Sequence, residues 1–235
     1  MQGIPLNERK RLGALLDDRP QTEVMAMIPQ FSQAETDNFV APPAQIPEAL
    51  GVLMFNMERG VNLPEIQEFL QDCPDIQPFD VILANELDDG CARSGNKNTA
   101  RELAQAFGLN YAWGLEFIEL VNDENAKGFH GNAVFSRWPI RRAGVIRLPE
   151  QYNWYFDRQK RIGGRLAVFA ELDVGGQPVG AVSIHLENRT HGEGRKAQMA
   201  AILEAVRKEL PDMPLILGGC LLYTSPSPRD RQKSR

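Results

Sequence analysis

The sequence predicts an α/β fold with mixed sheets and helices on the outside. Three observations carry that expectation. Short apolar runs at residues 50–55, 79–84 and 214–219 have the continuous character of buried strands. Residues 193–210 set Met199, Ile202, Leu203, Val206 and Leu210 on one stripe at helical spacing. Residues 165–174 and 178–186 flank the Gly175-Gly176 pair expected of a tight hairpin, so the sheets cannot be purely parallel.

Composition sets the outer limits. The 235 residues suffice for one sizeable α/β domain, and 43% hydrophobic with 24% charged residues is ordinary for a soluble protein. A net charge of −5 excludes a generic cationic nucleic-acid coat, though not a local basic groove. Cys73, Cys91 and Cys220 lie far apart, with neither metal-ligand spacing nor a disulfide framework, which fits a reducing compartment. No signal peptide or membrane span is legible, so a cytoplasmic location is expected.

Residues 7–35 place Leu12, Leu15, Leu16, Val24, Met25 and Ile28 at helical spacing, divided into two helices by Pro20. With the proline-rich connector Ala41-Pro42-Pro43-Ala44 and Ile46-Pro47, they make a helical appendage over residues 1–48. The main domain is expected over 49–219. Its first strand exits into Asn56, and Asn62 is placed to cap a helix across 64–70. A second helix over 96–107 ends at Gly108. Strands are expected at 111–120, 132–136 and 143–148, the last two joined by a turn at Trp138-Pro139. Residues 151–160 form an aromatic and charged loop with Tyr152, Trp154, Tyr155 and Phe156.

The stretch from Phe79 to Asp88 starts apolar and ends in acid. A strand buried on both faces has no structural need for a carboxylate at its exit, and ligands gather beyond the carboxyl ends of strands in such sheets. Glu86 is thus a candidate metal ligand or proton handler. A solvated turn acid is the alternative, and Asp88-Asp89-Gly90 itself reads as a turn. Asn56 leaves a neighbouring strand, Asn132 begins another, and His185 stands late in an apolar one. Only three histidines occur, so one at a strand exit draws notice, although a structural histidine there would look the same.

Together these segments resemble the endonuclease/exonuclease/phosphatase superfamily of magnesium-dependent phosphoesterases. The matching motifs are N-x-x-x-G at Asn56 to Gly60, E-x-D at Glu86 to Asp88, G-N-A-x-x-S-R-x-P at Gly131 to Pro139, and H-L-E at His185 to Glu187, followed by R-x-x-Q at Arg195 and Gln198. The resemblance runs from about residue 50 to 219 and implies a four-layer α/β sandwich, two mixed sheets face to face with helices outside. It implies catalytic roles for Asn56, Glu86 and His185, with magnesium (or manganese) held by Glu86 and Asn56. Magnesium takes hard oxygen ligands and keeps several waters, so one or two carboxylates suffice. An imidazolium at His185 could donate a hydrogen bond to a phosphoryl oxygen. Asn132 and Arg165 are the implied substrate-binding residues, Asn132 by orienting backbone or phosphate and Arg165 by clamping phosphate. A solvated strand-edge role for Arg165 stays open. Arg195 and Gln198 are expected to brace the loop after His185.

One departure stands out. The family follows its late strand with G-D-x-N, whose aspartate activates water; here Gly219 is followed by Cys220, Leu221 and Leu222. Residues 223–235 hold no aliphatic residue, and from 220 onward four basic residues and one acid leave the first 219 residues at −8. Residues 220–235 are expected to be a non-native, disordered tail resembling translated sequencing adaptor, and the domain a partial one. A basic tail that binds nucleic acid is the alternative. On this reading the chain is inactive and poorly folded, with an exposed strand edge. Two functions remain: a phosphoester hydrolase acting on nucleic acid, a nucleotide or a phospholipid headgroup, and a non-catalytic phosphate- or nucleic-acid-binding module. The acidic body and aromatic loop lean toward a small or lipid-like phosphoester.

Overall fold

The computed structural model describes residues 1–222, so the tail from Tyr223 onward lies outside the described residues. The helices are α1 (Leu6–Ala14), α2 (Gln21–Ala26), α3 (Leu63–Asp72), α4 (Thr99–Phe107) and α5 (Gly192–Glu209). The strands are β1 (Ala34–Asp37), β2 (Val52–Arg59), β3 (Val81–Asp89), β4 (Asn110–Glu119), β5 (Phe129–Ser136), β6 (Ile140–Arg147), β7 (Arg161–Gly163), β8 (Leu166–Val174), β9 (Gln177–His185) and β10 (Leu215–Cys220). One sheet runs β1-β4-β5-β3-β2 with β7 added on β4, and the other runs β10-β9-β8-β6. The β2–β3 and β10–β9 pairs are parallel and the others antiparallel, so both sheets are mixed as expected.

Period-2 alternation makes the layers. Val81 and Leu83 join Leu166, Val168, Ala170 and Ala181 in an apolar core between the sheets. Ile82 and Ala84 face the other way, toward Leu70 of α3 and Leu103 and Ala104 of α4. On the far side, Phe169, Val182 and Ile184 pack on Ile202 and Val206 of α5 and on Leu210 just after it. The result is helix, sheet, sheet, helix. Local signals set the helix ends: Asn98 accepts the Arg101 N–H at 2.9 Å, and Gly108 takes the left-handed φ of 58° that ends α4.

Several expectations are corrected. The N-terminal segment is not an all-helical appendage, because Ala34–Asp37 pairs antiparallel with β4 and adds an edge to the first sheet. Leu12, Leu16, Val24, Ile28 and Phe31 are buried in the same core as α3 and α4. Asn62 occupies the cap position of α3 without a side-chain capping bond. Asp88 and Asp89 belong to β3, and the turn begins only at Gly90, with φ 70°. The edge strands β2 and β10 lie side by side, with Met54 against Gly218, and leave Val52, Met54 and Leu215 exposed.

Gly131 pairs with Leu87 on one side and Leu115 on the other. A Cβ there would meet the Gly114 carbonyl oxygen at 2.0 Å and the Trp113 ring at 2.7 Å. Neither backbone nor a fully buried indole can yield, so Gly131→Ala should lower stability by about 1–3 kcal/mol in urea denaturation. Gly192→Ala, which meets nothing within 4 Å, is the control. Equal midpoints for the two variants would refute this account of β5.

Candidate active site

Three strands of the first sheet break register at one level. The β2–β3 ladder jumps from the Asn56 pair to the Arg59 pair, the β3–β5 ladder from Ala84 to Leu87, and the β4–β5 ladder from Leu115 to Phe117. An extra residue at a bulge breaks alternation and re-aims a side chain. Glu58, Arg59 and Glu86 take left-handed φ values of 45°, 70° and 58°, a strain of about 1–3 kcal/mol each that the packing around them must sustain. Glu86 therefore stands in a bulge inside β3 rather than at a strand exit. Glu116 is the unpaired residue of the β4 bulge.

The bulges bring four of the expected residues together. Asn56 donates from Nδ2 to Glu86 Oε1 at 3.0 Å, and its Oδ1 accepts the Glu58 N–H at 2.9 Å. Asn132 accepts the Glu86 N–H on Oδ1 at 3.2 Å, and its buried Nδ2 has no hydrogen-bond partner. His185, the last residue of β9, reaches in from the second sheet and sets Nε2 3.8 Å from Glu86 Oε1. Glu86 keeps a quarter of its side chain exposed, whereas Asn132 and His185 are buried.

Arg165 is elsewhere. Its Nη1 lies 3.1 Å from Glu116 Oε1 and 3.0 Å from His185 Nδ1, its Nε 3.3 Å from Glu187 Oε2, and its Nη2 donates to Asn188 Oδ1 at 3.3 Å. With its donors committed to protein groups, its side chain buried and Nη1 also 3.1 Å from His185 Nε2, Arg165 lies against both ring nitrogens of the histidine, which replaces the phosphate clamp expected of it. Asn56 likewise turns its amide nitrogen to Glu86 and its oxygen to backbone, so it orients the carboxylate instead of offering a second oxygen beside it.

Behind these residues runs a buried chain of carboxylates interleaved with histidine and arginine side chains. Glu116 Oε2 lies 3.1 Å from His185 Nδ1 and 3.8 Å from His130 Nε2. His130 Nδ1 lies 2.9 Å from Asp88 Oδ1, and Arg93 grips Asp88 with two bonds of 2.7 and 2.8 Å. Trp154 donates from Nε1 to Glu187 at 2.9 Å, and Gln198 accepts the Glu187 N–H at 2.9 Å while Arg195 donates to Thr190 O at 2.7 Å. Those last two contacts are the brace expected after His185. Between the sheets, Asn85 donates to Ile184 O at 3.2 Å and accepts the Cys220 N–H at 3.0 Å, and Ser183 donates to Ala84 O at 2.9 Å.

The electrostatics follow from this packing. Burial pushes the Glu86 carboxyl up, but His130, His185 and the Asn56 hydrogen bond together hold it below the ordinary carboxylate value. Burial likewise opposes ionisation of Glu116, and His185 and Arg165 overcome it. Both groups stay anionic. Glu116 was not singled out in the sequence, and Asp88 and Glu187 entered only as the ends of the E-x-D and H-L-E motifs, with no role given to them or to His130; the available signal for Glu116 was its place between Leu115 and Phe117 in an apolar run.

Among the described residues, no group of three or more histidine, cysteine, aspartate or glutamate side chains could hold a metal ion. Magnesium needs less. A single ionised, partly exposed carboxylate with the rest of the shell left to water is within its habits, and Glu86 fits that description. A hollow of about 510 Å³ lined by Leu50, Gly51, Asp80, Arg137 and Trp138 opens at the opposite end of β2 and β3 and includes none of these groups.

No protein-family model matches the chain, and no curated protein does. Solved structures do. The human Nocturnin catalytic domain with bound sulfate anion superposes with a TM-score of 0.53 at 19% identity, over 87% of this chain and 72% of that one. An endonuclease/exonuclease/phosphatase from Beutenbergia cavernae gives 0.49 at 21% identity, over 65% and 43%. An endonuclease/exonuclease/phosphatase family protein from Leptotrichia buccalis gives 0.48 at 17%, over 71% and 66%. The chain thus spans less than half of the Beutenbergia protein and about two thirds of the Leptotrichia one. At these identities the likeness is one of fold.

The Asp88 pair has a measurable consequence. Burial alone would raise this carboxyl, yet Arg93 and His130 hold it at about 2 against an ordinary 3.8. The folded form releases this proton more readily than the unfolded chain. Its contribution, about 2 kcal/mol, is therefore complete above about pH 4 and is lost as pH falls toward 2. In urea denaturation, the stability gap between the parent and Asp88→Asn should narrow by about that amount across this interval. A gap that does not change with pH would contradict the pairing.

Proposed function

We propose that this chain, whose fold is that of the endonuclease/exonuclease/phosphatase superfamily, carries a phosphoester-hydrolysing site centred on Glu86 and His185. The observation that supports this best is the convergence of Asn56, Glu86, Asn132 and His185 from four strands on one partly open carboxylate. Magnesium, or manganese in its place, would be held by Glu86 and would supply positive charge for a phosphoryl group in the transition state. Asn56 fixes the carboxylate's rotamer. The unpartnered Asn132 Nδ2 is a donor for a phosphoryl oxygen, where it would gain the bond it lacks in the protein alone. With Nδ1 on Glu116, His185 sets Nε2 between Arg165 Nη1 at 3.1 Å and Glu86 Oε1 at 3.8 Å, the ring nitrogen that would meet a non-bridging oxygen or carry a proton. Arg165 keeps the two glutamates behind it compensated and leaves His185 the group that meets substrate.

Cys220 favours a second reading. It pairs with His185 in the β9–β10 ladder, so the position that would carry the family's water-activating aspartate lies beside the site and holds a thiol. On that ground the chain as written grips a phosphoester oxyanion with little or no turnover. Candidate ligands are nucleic acids, nucleotides and phospholipid headgroups, with the acidic surface favouring a small one. No helix among the described residues is long and apolar enough to cross a membrane. A cytoplasmic setting is part of the same proposal, from the three widely spaced cysteines.

A panel of phosphoesters with magnesium, run on the chain and on the Cys220→Asp/Leu222→Asn variant, tests both readings. Turnover should appear or rise in the double variant, and adding Glu86→Gln or His185→Gln to it should lower kcat by about 10²–10³-fold. Calorimetric magnesium binding should be lost with Glu86→Gln. Turnover and metal affinity that both survive that substitution would end the phosphoesterase reading.

A further inference from the structure

The N-terminal segment has no role in the proposed chemistry, yet it reaches the backbone behind Glu116. Gln21 of α2 accepts the Gly163 N–H on Oε1 at 3.3 Å and donates from Nε2 to Glu150 at 2.9 Å. Phe31 lies in the short helical turn Pro29–Ser32, with Arg147 stacked over its ring at 4.8 Å, and its carbonyl accepts from Arg147 Nε at 2.8 Å. Arg147 spends its other nitrogens on two more carbonyls, Gly164 O at 3.2 Å and Leu115 O. Those carbonyls flank the site: Leu115 precedes Glu116, and Gly164 precedes Arg165. Gly164 in turn donates its N–H to Glu116 O at 3.2 Å.

Gly163 is the wedge in this assembly. Its φ is 124°, and a Cβ there would meet Glu116 O at 2.2 Å and the Phe31 ring at 3.0 Å. The contact leaves no slack between the N-terminal segment and the β4 bulge. Glu116 has no partner in the β5 ladder, so its direction depends on its other side, the Gly163-Gly164 backbone and what packs on it. The charge of Glu116 also offsets part of the cost of burying the Arg147 guanidinium.

We propose that Gln21 and Phe31 are positioning residues for the Glu116–His185 pair, acting through Arg147 and the Gly163-Gly164 backbone. The coupling is a property of the fold; its use in catalysis rests on the phosphoester reading above. Loosening the clamp displaces Glu116 relative to His185 Nδ1, 3.1 Å away, and a shift of a few tenths of an ångström weakens that bond.

Long-range proton–nitrogen spectra of the imidazoles test this on the full chain. Three histidines make assignment practical, with His185→Gln identifying one signal and exposed His191 serving as internal reference. Gln21→Ala and Arg147→Gln should each shift the His185 ring signals and leave those of His191 in place. Arg147→Lys should restore part of the parent position, since an ammonium still reaches one carbonyl. General destabilisation would lower the melting temperature without moving the folded-state signals of His185. Should Arg147→Gln fail to fold, Gln21→Ala, at the margin of the clamp, decides alone. Titration of the unmodified chain with inorganic phosphate reports separately on the functional reading. A silent titration counts against phosphate binding and leaves the coupling standing, whereas unmoved His185 signals in the folded variants overturn the coupling.

Discussion

Everything at this site depends on parity. A regular strand sends alternate side chains to opposite faces, so an acid in an apolar strand would be committed either to the helix layer or to the inter-sheet core. Bulges in β2, β3 and β4 at one level suspend that rule across half of the first sheet. Glu86 and Glu116 are residues released by it, and Asn56 is the last paired residue before the β2 bulge. The cost is visible in the left-handed φ values of Glu58, Arg59 and Glu86, which a uniform sheet would not contain.

The second requirement is compensation. Glu116, Asp88 and Glu187 are buried almost completely, where an unpaired carboxylate would be costly. Arg165, Arg93, His130 and His185 answer them in alternation, with Trp154 held between the guanidinium groups of Arg161 and Arg165 at 5.2 and 5.4 Å from its ring. Such a chain stabilises the fold little in net terms, because desolvation consumes much of the attraction. Its effect is to make each side chain's position depend on the next, which is what a preorganised site requires.

These two features explain what the sequence showed. The strands, the hairpin at Gly175-Gly176 and α5 were legible because they obey periodicity. Glu86, Asn132 and His185 drew notice because each is a polar residue set in an apolar run, although only His185 stands at a strand end; Glu86 and Asn132 lie inside β3 and β5. Glu116 was hidden by the same logic. It lies inside a run that alternates acceptably until the bulge is known, and a bulge leaves no periodic mark. Arg165 was misjudged because an arginine after two glycines looks exposed; its burial follows from acids supplied by β4 and by the residues after β9, distant in sequence. The strand at Ala34–Asp37 is too short and polar to announce itself, and the ladder with β4 alone reveals it.

The polar links of Asn85 and Ser183 have a consequence for how the sandwich moves. Over most of their area the two sheets touch through aliphatic side chains, which resist separation but tolerate sliding. At the Glu86 level they are joined by directional bonds from Asn85 to Ile184 and from Ser183 to Ala84, which tolerate neither. The two layers are thus pinned like a book with its spine beside the carboxylate. Any separation of the layers that changed the gap between Glu86 and His185, drawn from opposite covers, would first have to break those bonds.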